Sequence, residues 1–228
     1  MTCRPDAMTQ GRTDGYTLVL ERSSPLPSLA VFRGGEAVLS YAWPGEPSRS
    51  PGWLAEVRDV LGRAQIPLDA VGCFVCGVGP GSFSGIRACL AAVSGWALPR
   101  GLPVYGVASA AALAVAQMAE VVTVVGDARR KRLWCVTYRV EAGTSRVRLV
   151  DGRVPTHTAG DFSLIAPEDL PAVASGVVVS PDWERLAPVR AGLQPCAPGT
   201  AAVLGDIAYA EPAARRLEPS PIYLHPAV

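Results

Sequence analysis

The chain has 228 residues, enough for one large domain or two small lobes, and 49% of them are hydrophobic, ample for a packed core. Twenty-one basic residues against 20 acidic ones leave a net charge of +1, which excludes a global electrostatic attraction to nucleic acid or to an anionic membrane. Six cysteines are scattered along the sequence and no leader-like stretch precedes them, so a reduced cytoplasmic setting is expected.

Residues 1–14 are polar and without periodicity, and read as a disordered or appended tail. Tyr16 to Glu21, Leu29 to Arg33 and Glu36 to Tyr41 read as three strands, the last two joined by a hairpin turn at Gly34-Gly35. A Pro/Ser-rich loop over 44–51 leads into a helix from about Gly52 to Ala64, with Leu54, Val57 and Leu61 facing inward and Trp53 and Val60 on an adjacent stripe. Ala70 to Val78 is an apolar run of the kind found in a strand buried on both faces.

Between Asp69 and Glu120 the only charges are Arg87 and Arg100, so most of this stretch must be covered by protein. Gly79-Pro80-Gly81 makes a backbone reversal, and Ser82 caps a helix from Phe83 to Leu98. Exposed N–H groups at such a helix start suit an anion. The P-loop and dinucleotide signatures both fail here, so Gly79, Gly81 and Ser82 read either as a tight ligand-free turn or as a vestigial phosphate turn.

The helix itself carries two seams. Phe83, Ile86, Leu90, Val93 and Ala97 make a core face, while Ser84, Ala88, Ala91 and Gly95 lie nearly opposite at 4-3-4 spacing. Small side chains let two helix backbones approach closely, so the second seam is covered by this chain's own second layer or by a partner.

A buried strand over Val104 to Val107 follows, then an Ala-rich helix capped by Ser109 and reaching about Glu120. The uncharged run from Gly101 to Ala119 is interrupted by Pro103, Gly106 and Gln117, which argues against a membrane span. The second half reads as strands at Val121 to Val125, Leu133 to Tyr138, Val147 to Val150 and Val177 to Ser180. It also holds a short helix from Glu168, an apolar helix from Thr200 to Ala210 and a closing extended segment from Pro219 to Tyr223. Cys73 and Cys76 form a CxxC, but three residues apart in a strand they point to opposite faces and read as structural thiols. His157 and His225 read as surface residues. Gly81-Ser82-Phe83-Ser84-Gly85 lacks a serine at its centre, which argues against a nucleophile elbow. Arg129-Arg130-Lys131-Arg132 is either a solvated hairpin tip or, at Arg130, Lys131 and Arg132, a contact for the phosphates of a nucleic-acid backbone.

The segment GVGPGSFSGIRACLAAVSGWALPRGLPVYGVAS resembles the GxGPGSFTGLRxGLAxAKGLA...PxxGVSS stretch of the bacterial TsaB (YeaZ) family, accessory proteins of tRNA threonylcarbamoyladenosine biosynthesis. Asp127-Ala128-Arg129 resembles that family's D-A-R, and Pro221-Ile222-Tyr223-Leu224 its C-terminal P-x-Y-L. The resemblance implies an α/β fold of the actin-like ATPase (ribonuclease H-like) superfold, two small lobes with mixed sheets flanked by helices. The expected first lobe spans 15–107 and the second 108–228, with the helix near 200–210 packing back on the first. It implies a non-catalytic scaffold that binds and activates a TsaD-type transferase, together with a small TsaE-type ATPase, for threonylcarbamoyladenosine formation at position 37 of tRNAs. The partner-binding residues would be Ser84, Ala88, Ala91, Gly95, Trp53 and Val60, with a homodimer through the same helices when the protein is alone. No cofactor is expected. Three positions depart from the pattern: Glu21-Arg22 stands where the family has an Ile-Asp-Thr-Ser type turn, Arg49 is near the place of a usual histidine, and Lys131 falls where small or acidic residues are usual. Catalytic relatives bind metal through a His-x-x-x-His pair absent from this sequence. The alternative reading is an actin-fold small-molecule kinase or ATPase using the 77–85 turn and Asp127.

Overall fold

The computed structural model describes residues 15–24, 26–43, 52–186, 192–212 and 216–224; the expected tail at 1–14, the loop over 44–51 with Arg49, and His225 lie outside the described residues. The first lobe begins with β1 (Tyr16–Glu21), β2 (Ser28–Arg33) and β3 (Glu36–Ala42), continues through α1 (Trp53–Arg63), β4 (Val71–Gly77) and α2 (Phe83–Ala97), and reaches β5 (Val104–Val107). The second half contains α3 (Ser109–Ala116), β6 (Val121–Asp127), β7 (Leu133–Val140), β8 (Val147–Leu149), β9 (Ser163–Ile165), α4 (Leu170–Val173), β10 (Val177–Ser180), α5 (Trp183–Leu186), β11 (Gln194–Pro195), α6 (Ala201–Ala210) and β12 (Arg216–Leu217).

These strands form two mixed six-stranded sheets. The first runs β12-β5-β4-β1-β2-β3, with β1, β4 and β5 parallel and the β1-β2-β3 meander antiparallel. The second runs β11-β10-β6-β7-β8, with β9 added to β7. Gly34 and Gly35 take φ of 61° and 90° at the β2–β3 turn, the left-handed conformation that makes this hairpin tight.

The apolar clusters explain the layering. Val19, Ala30, Phe32, Cys73 and Val75 on one face of the first sheet pack with α3 and α6 against Val122, Val124, Val136 and Tyr138 of the second. The opposite face of the first sheet, with Leu18, Leu20, Val31, Phe74 and Cys76, is covered by α1 and α2. The far face of the second sheet, with Val125, Leu133 and Cys135, is covered by α4, α5 and the loops around them. Cys73 and Cys76 therefore do point to opposite faces and pack in different clusters.

Sandwiched between two sheets, α3 must be apolar all round, and its sequence SAAALAVA is buried from Ser109 to Ala114. It ends at Ala116, short of the expected Glu120, because Met118 takes φ of 52° and breaks the helical path. The chain's second half does not stay in the second lobe. α6 packs on β1, β2 and β4, and β12 adds antiparallel to β5 at the first sheet's edge. Among the described residues no helix is long and apolar enough to cross a membrane.

Candidate functional site

The parallel strands β1, β4 and β5 end together, and in open α/β sheets the crevice at such carboxyl ends is where ligands bind. Three connections meet there: the β1–β2 turn, the β4–α2 turn and the β5–α3 junction. Gly79 has φ of +93°, which favours glycine, and Ser82 caps α2 by accepting the Gly85 N–H at 3.2 Å. The glycines of this turn are demanded by contact with the β1–β2 turn. A Cβ on Gly81 would overlap the Ser23 carbonyl, and one on Gly85 would overlap the Arg22 carbonyl. The Ser82 N–H donates to that same Ser23 carbonyl at 2.7 Å. The expected phosphate turn thus faces the chain's own backbone.

Inside the crevice sits Glu21, 2% exposed. Its carboxylate accepts from the Ser23 backbone N–H and from the Ser109 hydroxyl at 2.6 Å, and Ser109 Oγ in turn accepts the Gly79 N–H at 3.1 Å. Burial pushes the Glu21 carboxyl upward, opposed by hydrogen bonds from Ser109, Ser23 and Ser24. Ser109 is therefore not the expected helix cap: Ala108 holds that position, and the serine side chain turns into the crevice, where its oxygen accepts the Gly79 N–H in place of one from the helix and its O–H donates to Glu21.

His157 closes the crevice from the second lobe. It is wholly buried, which corrects the surface position expected for it. Nδ1 accepts the Ala108 N–H at 3.1 Å, and the His157 N–H donates to Asp161 Oδ2 at 2.7 Å. Nε2 has no hydrogen-bond partner among the described residues. Burial drives the imidazole pKa down to about 4, with the Asp161 charge working the other way. The physical reason for the misplacement is that a lone histidine in a polar loop carries no periodicity, and only the β5–α3 junction supplies its partner.

On α2 the inward face consists of Gly85, Ile86, Cys89, Ala92, Val93 and Ala97. Phe83, expected in the core, is 56% exposed, and Leu90 is only half-buried. The inward seam of the first turn is carried by Gly85 and Ile86, which leaves the Phe83 side chain on the outer side. The Phe83 ring instead meets Tyr223 at 5.2 Å between centroids and lies under the Arg87 guanidinium at 5.0 Å. Ser84, Ala91 and Gly95 are exposed and Ala88 is half-buried, and a Cβ on Gly95 would meet open space. Ala88 packs partly on the core between α1, α2 and the first sheet, so the exposed part of the stripe is Ser84, Ala91 and Gly95.

Trp53 and Val60 belong elsewhere. Both are buried in the core on the α1–α2 side, where the Arg22 guanidinium lies 4.5 Å from the Trp53 ring centroid. The inward seam of α1 is Trp53, Val57, Val60 and Leu61, because the largest ring buries the most area on that face; Leu54, expected inward, is 41% exposed.

The basic turn joins β6 to β7. Arg129, Arg130 and Lys131 all take positive φ, of 65°, 50° and 58°, and the Ala128 N–H donates to the Arg132 carbonyl at 3.0 Å. Asp127 is paired with Arg129 at 3.2 Å and Arg185 at 3.6 Å, and its N–H donates to Asp182 at 2.9 Å. Arg132 reaches back to the Leu164 carbonyl at 2.9 Å, while Arg130 and Lys131 are exposed. Sequence reasoning missed Ser109 and His157 in the crevice and Phe83 with Tyr223 on the surface. The P-x-Y-L match already marked Tyr223, but nothing local placed it against Phe83.

Comparison with known proteins places this geometry among relatives. A family model described as TsaD, tRNA N6-adenosine threonylcarbamoyltransferase, matches residues 53–151. An uncharacterised protein of Mycobacterium tuberculosis is 32% identical over 127 residues, 53% of this chain and 58% of the relative. One of Mycobacterium leprae is 33% identical over 136 residues, 53% of this chain and 36% of that protein. The chain thus matches about half or less of the length of these curated relatives. Among solved structures, YeaZ from Pseudomonas aeruginosa superposes with a TM-score of 0.72 at 25% identity, covering 92% of this chain and 100% of that one. A Pseudomonas aeruginosa protein described as similar to peptidase YEAZ gives the same TM-score and coverage at 26% identity.

Proposed function

We propose that this chain, which belongs to the TsaB (YeaZ) family and takes the actin-like ATPase superfold, is a non-catalytic scaffold that binds and activates a TsaD-type transferase for tRNA threonylcarbamoyladenosine formation. The observation that carries the reading is the outer face of α2. Ser84, Ala88, Ala91 and Gly95 make a stripe of small side chains on a helix with a single charge, Arg87, and Ser84, Ala91 and Gly95 are exposed while Ala88 packs partly on the α1–α2 core. Such a stripe removes bulk so that another backbone comes close. Leu54 on α1, with the Phe83 and Tyr223 rings at the helix start, supplies apolar area on the same side of the first sheet.

In this reading the TsaD-type subunit sits on α1 and α2, a second copy of this chain takes that surface when the transferase is absent, and a small TsaE-type ATPase joins the assembly. tRNA meets the complex, with Arg130, Lys131 and Arg132 as phosphate contacts of the basic turn. The residues matched by the transferase family model contain no histidine, so the metal-binding pair of catalytic relatives has no counterpart there. The kinase or ATPase alternative has less support, since Glu21 fills the crevice it would use and Asp127 is held by two arginines.

Co-expression with the transferase of the same genome tests the reading. The wild-type chain co-purifies with it and raises its output of threonylcarbamoyladenosine, whereas Ala91→Arg does neither while keeping its own fold, because a charge buried in an interface without a partner costs about 3 kcal/mol or more. Product made by this chain alone, or an Ala91→Arg protein that still assembles, refutes it.

A further inference from the structure

The crevice at the ends of β1, β4 and β5 has the usual parts of an oxyanion site. It has a glycine-rich turn, backbone N–H groups and a serine hydroxyl, all converging on one point. That point holds the Glu21 carboxylate. Ser23 and Ser24 approach it with backbone N–H groups, and Ser109 with its O–H. The Ser109 hydroxyl bridges two of the turns, its oxygen accepting the Gly79 N–H and its proton donated to Glu21 Oε2. Every one of these partners is a donor, which suits an anion and not a neutral acid. Room for the carboxylate is made by Gly77 at the end of β4, since a Cβ there would overlap both Glu21 Oε2 and Ser109 Oγ.

We propose that Glu21 is an internal oxyanion: it fills the crevice where a ligand's phosphate or carboxylate would bind, ties the β1–β2 turn, the β4–α2 turn and the β5–α3 junction together, and so sets the start of α2. Glu21 belongs to the chain and is always present, so the crevice is closed to phosphate without any external ligand. The network also joins the two halves, because Ser109 opens the helix sandwiched between the sheets and Gly79 opens the turn into α2. Glu21 is a positioning residue here. The inference concerns this chain's own stability and stands whether or not the scaffold reading does.

Chemical rescue tests it on the full chain. Glu21→Gly removes the carboxylate and leaves a cavity lined by the same donors. Its thermal midpoint falls by several degrees, then climbs with the logarithm of added formate, acetate or inorganic phosphate, as binding to the folded state requires. Chloride at matched ionic strength produces no such climb, and wild-type protein shows only the general stabilisation that each salt gives any folded protein, against which the climb is measured. Glu21→Gln keeps the size and removes the charge; it melts below wild type and is not rescued, because its amide still fills the space. The proposal is overturned if Glu21→Gln melts with wild type, which would mean that shape alone suffices. It is also overturned if Glu21→Gly folds and responds to the anions no more than wild type does. Should Glu21→Gly fail to fold in chloride, refolding in formate or phosphate but not in chloride supports the proposal, and no recovery in any salt counts against it.

Discussion

The helical layer outside the first sheet and the one outside the second differ in length and in what they leave uncovered. α1 and α2 run 11 and 15 residues, bury a continuous seam, and turn outward a stripe of small side chains edged by Leu54 and Phe83. α4 and α5 have four residues each, and contribute Leu170 and Leu186 to a small cluster under the second sheet. A four-residue helix has one turn and no extended face to offer. The longer layer is at once a lid on its own sheet and a surface with the dimensions of a helix–helix interface. The contrast is what makes the first lobe's helices the surface for the proposed partner, while the second lobe frames α3.

The largest effect separates the two faces of α2. Ala92→Arg places a charge at a buried position against Leu20 and Phe74 and is expected to unfold the chain or cost upward of about 4 kcal/mol, whereas Ala91→Arg, one residue away, leaves the monomer within about 0.5 kcal/mol of wild type. Urea denaturation of the two proteins checks this, and a similar loss in both would place the small seam inside the chain's own fold. Next, the layers differ in depth. Leu61→Ala in α1 should cost about 3 to 4 kcal/mol, and Leu186→Ala in α5 about 2, because the thinner layer collapses more easily into a vacated space. Equal losses would erase the distinction between the layers.

A third measurement probes where the lobes meet. The pKa of His157 is lowered by burial from its ordinary 6.5 to about 4, so below 6.5 the unfolded chain binds more protons than the folded one. The stability this residue permits is complete above pH 6.5 and falls as the pH drops towards 4, by at most about 3 kcal/mol. Burial raises the Glu21 carboxyl while the donors of Ser109, Ser23 and Ser24 work to lower it, so the ionised group carries a net desolvation cost in the folded state and, in the opposite sense to His157, its contribution weakens as pH rises through its folded value. His157→Asn keeps an acceptor and tolerates the positive φ of 53° at this position. Its denaturation midpoint should vary less between pH 6.5 and 4 than that of wild type, and parallel profiles would show that the imidazole is not the titrating group. The smallest effect concerns the basic turn. Arg130→Gly relieves a left-handed residue and should stabilise by roughly 0.5 kcal/mol, less any loss from the more flexible unfolded chain. A loss above about 1 kcal/mol would mean that the Arg130 side chain has a structural role.

Much of the fold was legible because the periodic signals are local. Alternation and apolar runs placed β1 to β7 within a residue or two, and the Ala-rich run after β5 read as a helix starting at Ser109. The short elements β9, β11 and α5 escaped because two to four residues carry no period. The face assignments of α1 and α2 went partly astray for a different reason. Both Leu54 and Trp53 fit an apolar stripe, and the larger ring, which buries more area against the first sheet, is the one that turns in.

By itself the sequence determined the tight turn at Gly79 with its Ser82 cap and the small seam of α2, since each follows from residue size, conformational freedom or spacing within one segment, while the two-lobed α/β plan came from the family resemblance. The tertiary structure alone decided that Glu21 enters the crevice, that Ser109 serves it in place of a helix end, that His157 is buried against Ala108, and that Tyr223 returns from the end of the chain to lie on Phe83. Each of those four pairs residues between 49 and 140 positions apart or brings separate turns together, and a polar side chain's partner across such a distance is fixed by where the sheets and helices set the backbone, which no local pattern encodes.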